Sequence, residues 1–102
     1  MLNLSRNQIS DLEPLSGLEN LQNLDLSRNQ ISDLAPLASL ARLAWLDLMD
    51  NRIGDIAPLA ALPNLKDVDL SRNDVTDWTP VEHVANVEGR AEAAPTDDAN
   101  PN

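Results

Sequence analysis

The fold class that the sequence predicts is an α/β solenoid of parallel strands, each strand followed by a tight helical turn, and three observations predict it. The 102-residue chain lies in rows of 22 from residue 2, giving 2–23, 24–45, 46–67 and 68–89 without a gap. Seven columns are apolar in every row, and their 28 positions hold Trp78 together with every Leu, Ile and Val of the chain. The polar residues sort as strictly. Asn7, Asn29, Asn51 and Asn73 fill one column, Asp11, Asp33, Asp55 and Asp77 a second, and Pro14, Pro36, Pro58 and Pro80 a third. A fixed short period whose apolar set cannot be buried by one coil alone is the mark of stacked coils, each covering the next.

Within a row the elements follow in a set order. Leu24-Asp25-Leu26 alternates as a short strand does, so Leu2 and Leu4, Leu24 and Leu26, Leu46 and Leu48, and Val68 and Leu70 point inward and the residues beside them outward. The strands then stack in parallel along one face. The Asn column stands just after each strand, where the backbone turns away and needs both donors and acceptors, which an amide supplies. The Asp column precedes the helical turn, where a carboxylate accepts N–H groups of the loop. Pro36-Leu37-x-x-Leu40-x-x-Leu43 has a spacing of three, which suits a 3₁₀ segment, and the prolines sit in the first turn, where no donor is lost. Trp78 takes the core column of Leu12, Leu34 and Ile56 and is expected to seal the last coil. Residues 1–89 therefore read as one repeat domain. Residues 90–102 carry no Leu, Ile, Val or aromatic side chain and read as a disordered acidic tail.

Composition removes whole classes of function. Seven Lys and Arg less 17 Asp and Glu leave a net charge of −10, which repels nucleic acid and anionic membranes. With no Cys and one His there is no thiolate or multi-His metal site, and no cofactor is expected. No apolar run approaches the ~20 residues of a membrane span, and Met1-Leu2-Asn3-Leu4 lacks the pattern of a signal peptide. There is no phosphate loop and no nucleophile elbow, and the lone His83 lies in the column of Gly17, Ser39 and Ala61 without a catalytic companion. An enzyme is not expected.

Asn29-Gln30-Ile31-Ser32-Asp33-Leu34-Ala35-Pro36-Leu37 and Leu21-Gln22-Asn23-Leu24-Asp25-Leu26-Ser27-Arg28-Asn29 resemble leucine-rich repeats of the 22-residue class found in the bacterial internalins. The resemblance covers residues 2 to 89, and Asp77 to Arg90 is similar to the closing repeat of bacterial members, where leucines give way to valines. It implies a right-handed solenoid with strands on the concave face and 3₁₀ or irregular turns on the convex one. It also implies a protein-binding role and a bacterial surface or secreted setting, while the residues themselves leave a cytoplasmic one open. Internalin-like proteins carry a helical cap before the first repeat, and this sequence starts inside a strand.

Function is then sought on the outward strand positions: Met1, Asn3, Ser5 and Arg6; Asn23, Asp25, Ser27 and Arg28; Trp45, Asp47, Met49 and Asp50; Asp67, Asp69, Ser71 and Arg72. Trp45 and Met49 stand in columns that are otherwise polar or small, apart from Met1, and large side chains of this kind on a polar face are the material of binding hot spots. The alternative is that Trp45 lies across its own neighbours. Asp25, Asp47 and Asp69 form a ladder at a strand spacing of ~4.8 Å. Such repulsion is tolerable if the ladder attracts a basic protein or peptide; the alternatives are internal balance by Arg28, Arg72 and Lys66, with Arg28, Asp50 and Arg72 pairing across strands in their own column, or a cation, for which a flat ladder does not converge. A competing reading is architectural. The first coil, with Leu2, Leu4 and Ile9 at its edge, would dock on a cap, a neighbouring domain or a second copy of the chain.

Overall fold

The computed structural model describes residues 1–90, and the expected tail falls almost wholly outside the described residues. Five strands form one parallel sheet in the order of the chain: β1 (Leu2–Asn3), β2 (Asn23–Asp25), β3 (Trp45–Asp47), β4 (Asp67–Asp69) and β5 (Asn86–Glu88). Between them lie 3₁₀ turns at Glu13–Leu15, Ala35–Ser39, Ala57–Ala61 and Thr79–Val81, so the chain is a solenoid with strands on one side and short turns on the other. Each 3₁₀ turn carries its proline in the first two positions. The first bonds close from Leu15 to Leu12, Leu37 to Leu34, Leu59 to Ile56 and Val81 to Trp78, the three-residue reach that the spacing of the leucines demands.

The core is the stack of apolar columns. Leu24, Leu26, Leu46, Leu48, Val68 and Leu70 are buried beneath the sheet, and Leu37, Leu40, Leu59, Leu62 and Val81 meet them from the 3₁₀ side. At ~25 cal/mol per Å² of apolar surface withdrawn from water, this column stack is the main stabilising contribution, and no coil has it alone. The first coil is less covered. Leu2, Leu4, Ile9, Leu15 and Leu21 are half-buried, and Leu18 is 42% exposed whereas Leu40 and Leu62 are 0%.

The polar columns hold the turns. Asn29 receives the N–H groups of Asn7 and Ile9 on Oδ1, each at 3.1 Å, and its Nδ2 donates to the carbonyls of Leu4, Leu26 and Ser27. One and two coils on, Asn51 and Asn73 each accept one N–H, from Ile31 and Ile53, and donate to the carbonyls of Leu26 and Leu48 and of Leu48 and Leu70. Asp11, Asp33, Asp55 and Asp77 accept the N–H groups of Glu13, Ala35, Ala57 and Thr79 at 2.9–3.0 Å, so a carboxylate opens every 3₁₀ turn. Coils are also tied directly, by Leu4 to Asp25, Leu26 to Asp47 and Leu48 to Asp69, each N···O distance 2.8 Å.

The fourth row, 68–89, differs from the spacing of the others. β1 to β4 follow one another at 22 residues, but Asp67, Val68 and Asp69 pair with Asn86, Val87 and Glu88, an offset of 19. By period Val87 belongs with Leu21, Leu43 and Leu65; in the structure it takes the strand position of Val68. Gly89 follows at φ 99°, and a Cβ there would lie 2.7 Å from the Ser71 nitrogen, so only glycine lets the last strand end this close to its neighbour. Trp78 packs against the core of this coil with its indole nitrogen buried and without a hydrogen-bond partner. His83 is exposed, and its Nε2 donates to the Leu62 carbonyl at 2.9 Å.

Candidate functional site

The outward face of the sheet carries two rows of side chains set by strand register. One runs Asn23, Trp45, Asp67, Asn86 and the other Asn3, Asp25, Asp47, Asp69, Glu88. Asp25, Asp47 and Asp69 are thus brought into line, half-buried at the strand ends. The early arrival of β5 adds a fourth acid, Glu88, that the 22-residue period hides. The signal was present in the sequence: Asn86-Val87-Glu88 repeats the polar, Val, acid pattern of Asp67-Val68-Asp69 three residues early. Asp67 and Asn86 complete this end of the face, with Asn86 Nδ2 donating to Asp67 Oδ1 at 2.7 Å.

Each ladder acid also serves its own turn. Asp25, Asp47 and Asp69 accept the N–H of the residue two places on, Ser27, Met49 and Ser71, each at 3.0 Å. The Ser27 and Ser71 hydroxyls donate to the same carboxylates, which is why Ser27 is 6% exposed despite its outward position. Met49 has no hydroxyl, so Asp47 alone among the three lacks this second donor. Burial pushes the Asp47 carboxyl above its ordinary value of 3.8, against the pull of the Met49 N–H; repulsion from Asp69 and from Asp25 adds to the rise, and each outweighs the attraction of Arg28. Asn3 makes the same turn with an amide, receiving the Ser5 N–H at 3.0 Å and its hydroxyl at 2.7 Å.

Trp45 is half-buried at the start of β3, beside Asn23 and Asp67, and Met49 is half-buried past its end. Trp45 forms one wall of a depression of about 160 Å³, whose other walls are Asp47, Asp67, Asp69, Asn86 and Glu88 over the strand residues Leu46 and Val68. Met49 is not part of that wall. Arg28, Asp50 and Arg72 stand apart at the rim, exposed, in the left-handed turn after each strand at φ 59–61°. Their column is therefore a set of turn positions, a conformation that costs a residue with a Cβ roughly 1 kcal/mol or more. Lys66 lines a different depression with Gln22, Arg42, Ala44 and Asn64. Among the described residues no three His, Asp or Glu side chains gather as a metal ligand set. No helix among them is long and apolar enough to cross a membrane.

Comparison with known proteins agrees with this architecture. A family model described as leucine rich repeats, two copies, matches residues 1–39 and 41–83. The structure of an internalin C2 from Listeria monocytogenes superposes with a TM-score of 0.83 at 46% sequence identity, over 85% of this chain and 40% of that one. An internalin F from the same organism gives 0.78 and 32%, over 82% of this chain and 26% of the other. The chain thus spans less than half the length of either internalin. No curated protein matches it.

Proposed function

The chain belongs to the leucine-rich repeat family and is internalin-like, a protein-interaction scaffold, and from that premise we propose that it binds its partner on the strand face, around Trp45. The observation that carries this reading is the union of an aromatic wall with four carboxylates around one depression. At about 160 Å³ the depression is too small for an organic cofactor, whose pockets start at ~300 Å³, and suits one side chain of a larger partner. Trp45 and Met49 supply apolar contact, while Asp25, Asp47 and Asp69 favour a basic protein or peptide over an acidic one. Arg28, Asp50 and Arg72 fall at the edge of such a footprint.

Trp45 is held outside the buried core, so Trp45→Ala tests the face without removing a core side chain. Peptides selected from a random display library on the immobilised wild-type protein are expected to lose about tenfold or more in affinity for the variant, the scale of an anchoring aromatic. Its thermal midpoint is expected to stay close to the wild type's. Peptides that bind both proteins equally would overturn the reading.

A second reading is favoured by the exposure of Leu18 beside the half-buried Leu2, Leu4 and Ile9: the first coil is itself a docking surface, for a cap, a neighbouring domain or a second copy. Light scattering over a concentration range tests the self-association arm. A dimer that becomes monomeric on Leu2→Glu and Leu4→Glu supports it, and a concentration-independent monomer removes it.

A further inference from the structure

The carboxylates around Trp45 carry more charge than the fold requires. The turn bond made by Asp25, Asp47 and Asp69 is made as well by the amide of Asn3, which accepts the same N–H and the same hydroxyl. An asparagine ladder would keep every turn and lose the repulsion between neighbours ~4.8 Å apart. At Asp47 the charge is thus a net cost to the fold, which the Met49 N–H offsets only in part. Internal cations do not neutralise it at Asp47, where repulsion from two acids exceeds the attraction of Arg28, and Lys66 lines another depression. Nor do the acids converge as a metal ligand set among the described residues.

What remains is a depression with a flat aromatic wall on one side and Asp47, Asp67, Asp69 and Glu88 around the rest. We propose that it receives an arginine side chain of a protein or peptide partner, the guanidinium stacked against Trp45 and hydrogen-bonded to the carboxylates of β3, β4 and β5. Charge complementarity selects a cation. The aromatic wall and the number of acceptors select arginine over lysine, because a planar guanidinium stacks, donates five N–H groups in a fixed fork and sheds water more readily than an ammonium. Asp47 gains most. It lacks the serine hydroxyl that Asp25 and Asp69 have, so an incoming N–H fills a place that Met49 leaves open. Asn86 holds Asp67 in place by its 2.7 Å bond, which fixes one acceptor before the ligand arrives.

This inference rests on the strand-face reading and refines its chemistry, so the test separates the two. A capped pentapeptide with arginine between two glycines on each side is titrated into the ¹⁵N-labelled protein at low salt, beside its lysine and citrulline counterparts. Citrulline keeps the shape of arginine and removes its charge. The expected result is a saturable shift of the Trp45 indole N–H and of the Asp47, Asp69 and Glu88 amides in the millimolar range. Citrulline should bind about tenfold more weakly or worse, with lysine between the two. Asp69→Asn and Glu88→Gln should each weaken arginine severalfold while leaving the circular dichroism spectrum unchanged. Equal binding of arginine and citrulline, equal binding of arginine and lysine, or shifts confined to other parts of the chain would overturn the proposal. If display-selected peptides depend on Trp45 yet tolerate citrulline, the arginine pocket falls and the strand-face reading stands. If they ignore Trp45→Ala, both fall.

Discussion

At Asn51 one amide closes four backbone groups: the Ile31 N–H on its oxygen and the Leu26, Leu48 and Met49 carbonyls on its nitrogen. The side chain is 9% exposed, so water cannot replace it without opening the turn. Asn7, in the same column, donates to the Leu4 and Ser5 carbonyls from an exposed site. Asn51→Ala is therefore expected to cost about 3 kcal/mol or more in urea unfolding, and Asn7→Ala about 1 kcal/mol or less. Equal losses would mean that the column does not act by satisfying buried groups. This column was legible in the sequence because backbone donors and acceptors must be paired wherever a coil turns, and few side chains can do both. The second duty of the ladder acids was not. Asp25, Asp47 and Asp69 read as a charged row because spacing reports which face a residue occupies, and does not report that its oxygen reaches the amide two residues on.

β1 to β4 and the four 3₁₀ turns were readable from their own rows, since alternation gives the strand, a spacing of three gives the turn and proline marks where the turn begins. What a fixed period cannot register is a coil that ends early. β5 forms at an offset of 19 because Val87 enters the strand column of Val68 and Gly89 permits the chain to pass Ser71. That one shift brings Glu88 and Asn86 to the depression beside Trp45, which is why these two walls escape a reading by period. Gly89→Ala is expected to cost about 1–3 kcal/mol, the range for a strained left-handed position, and to weaken protection of the Leu70 amide, which donates to the Glu88 carbonyl. Unchanged hydrogen exchange at Leu70 would show that β5 does not depend on this glycine. The left-handed positions of Arg6, Arg28, Asp50 and Arg72 escaped for a related reason, as none is the glycine that announces such a turn.

Over the whole molecule, the excess of acid governs how stability responds to pH. Asp47 is raised above its ordinary value of 3.8, mainly by burial, so ionising it costs more in the folded chain than in the unfolded one. That is a penalty at neutral pH which disappears as falling pH protonates the folded state. Asp77 has the opposite sign: the Thr79 hydroxyl, then its N–H, hold it below 3.8, so its contribution is present above that value and lost as pH falls through the folded pKa. The Asp47 window is centred above 3.8 and the Asp77 window below it. Stability in urea is thus expected to climb from neutrality towards 3.8 and to turn down beyond it. Asp47→Asn keeps the turn bond, as Asn3 does, and removes the penalty, so it should start more stable at neutral pH and climb less. Parallel profiles for the two proteins would place the penalty elsewhere. The same substitution is expected to weaken the arginine peptide, because the carboxylate that strains the fold is the one that no serine hydroxyl meets. Stability and recognition then oppose each other at a single side chain, which is the signature that separates a binding ladder from a decorative one.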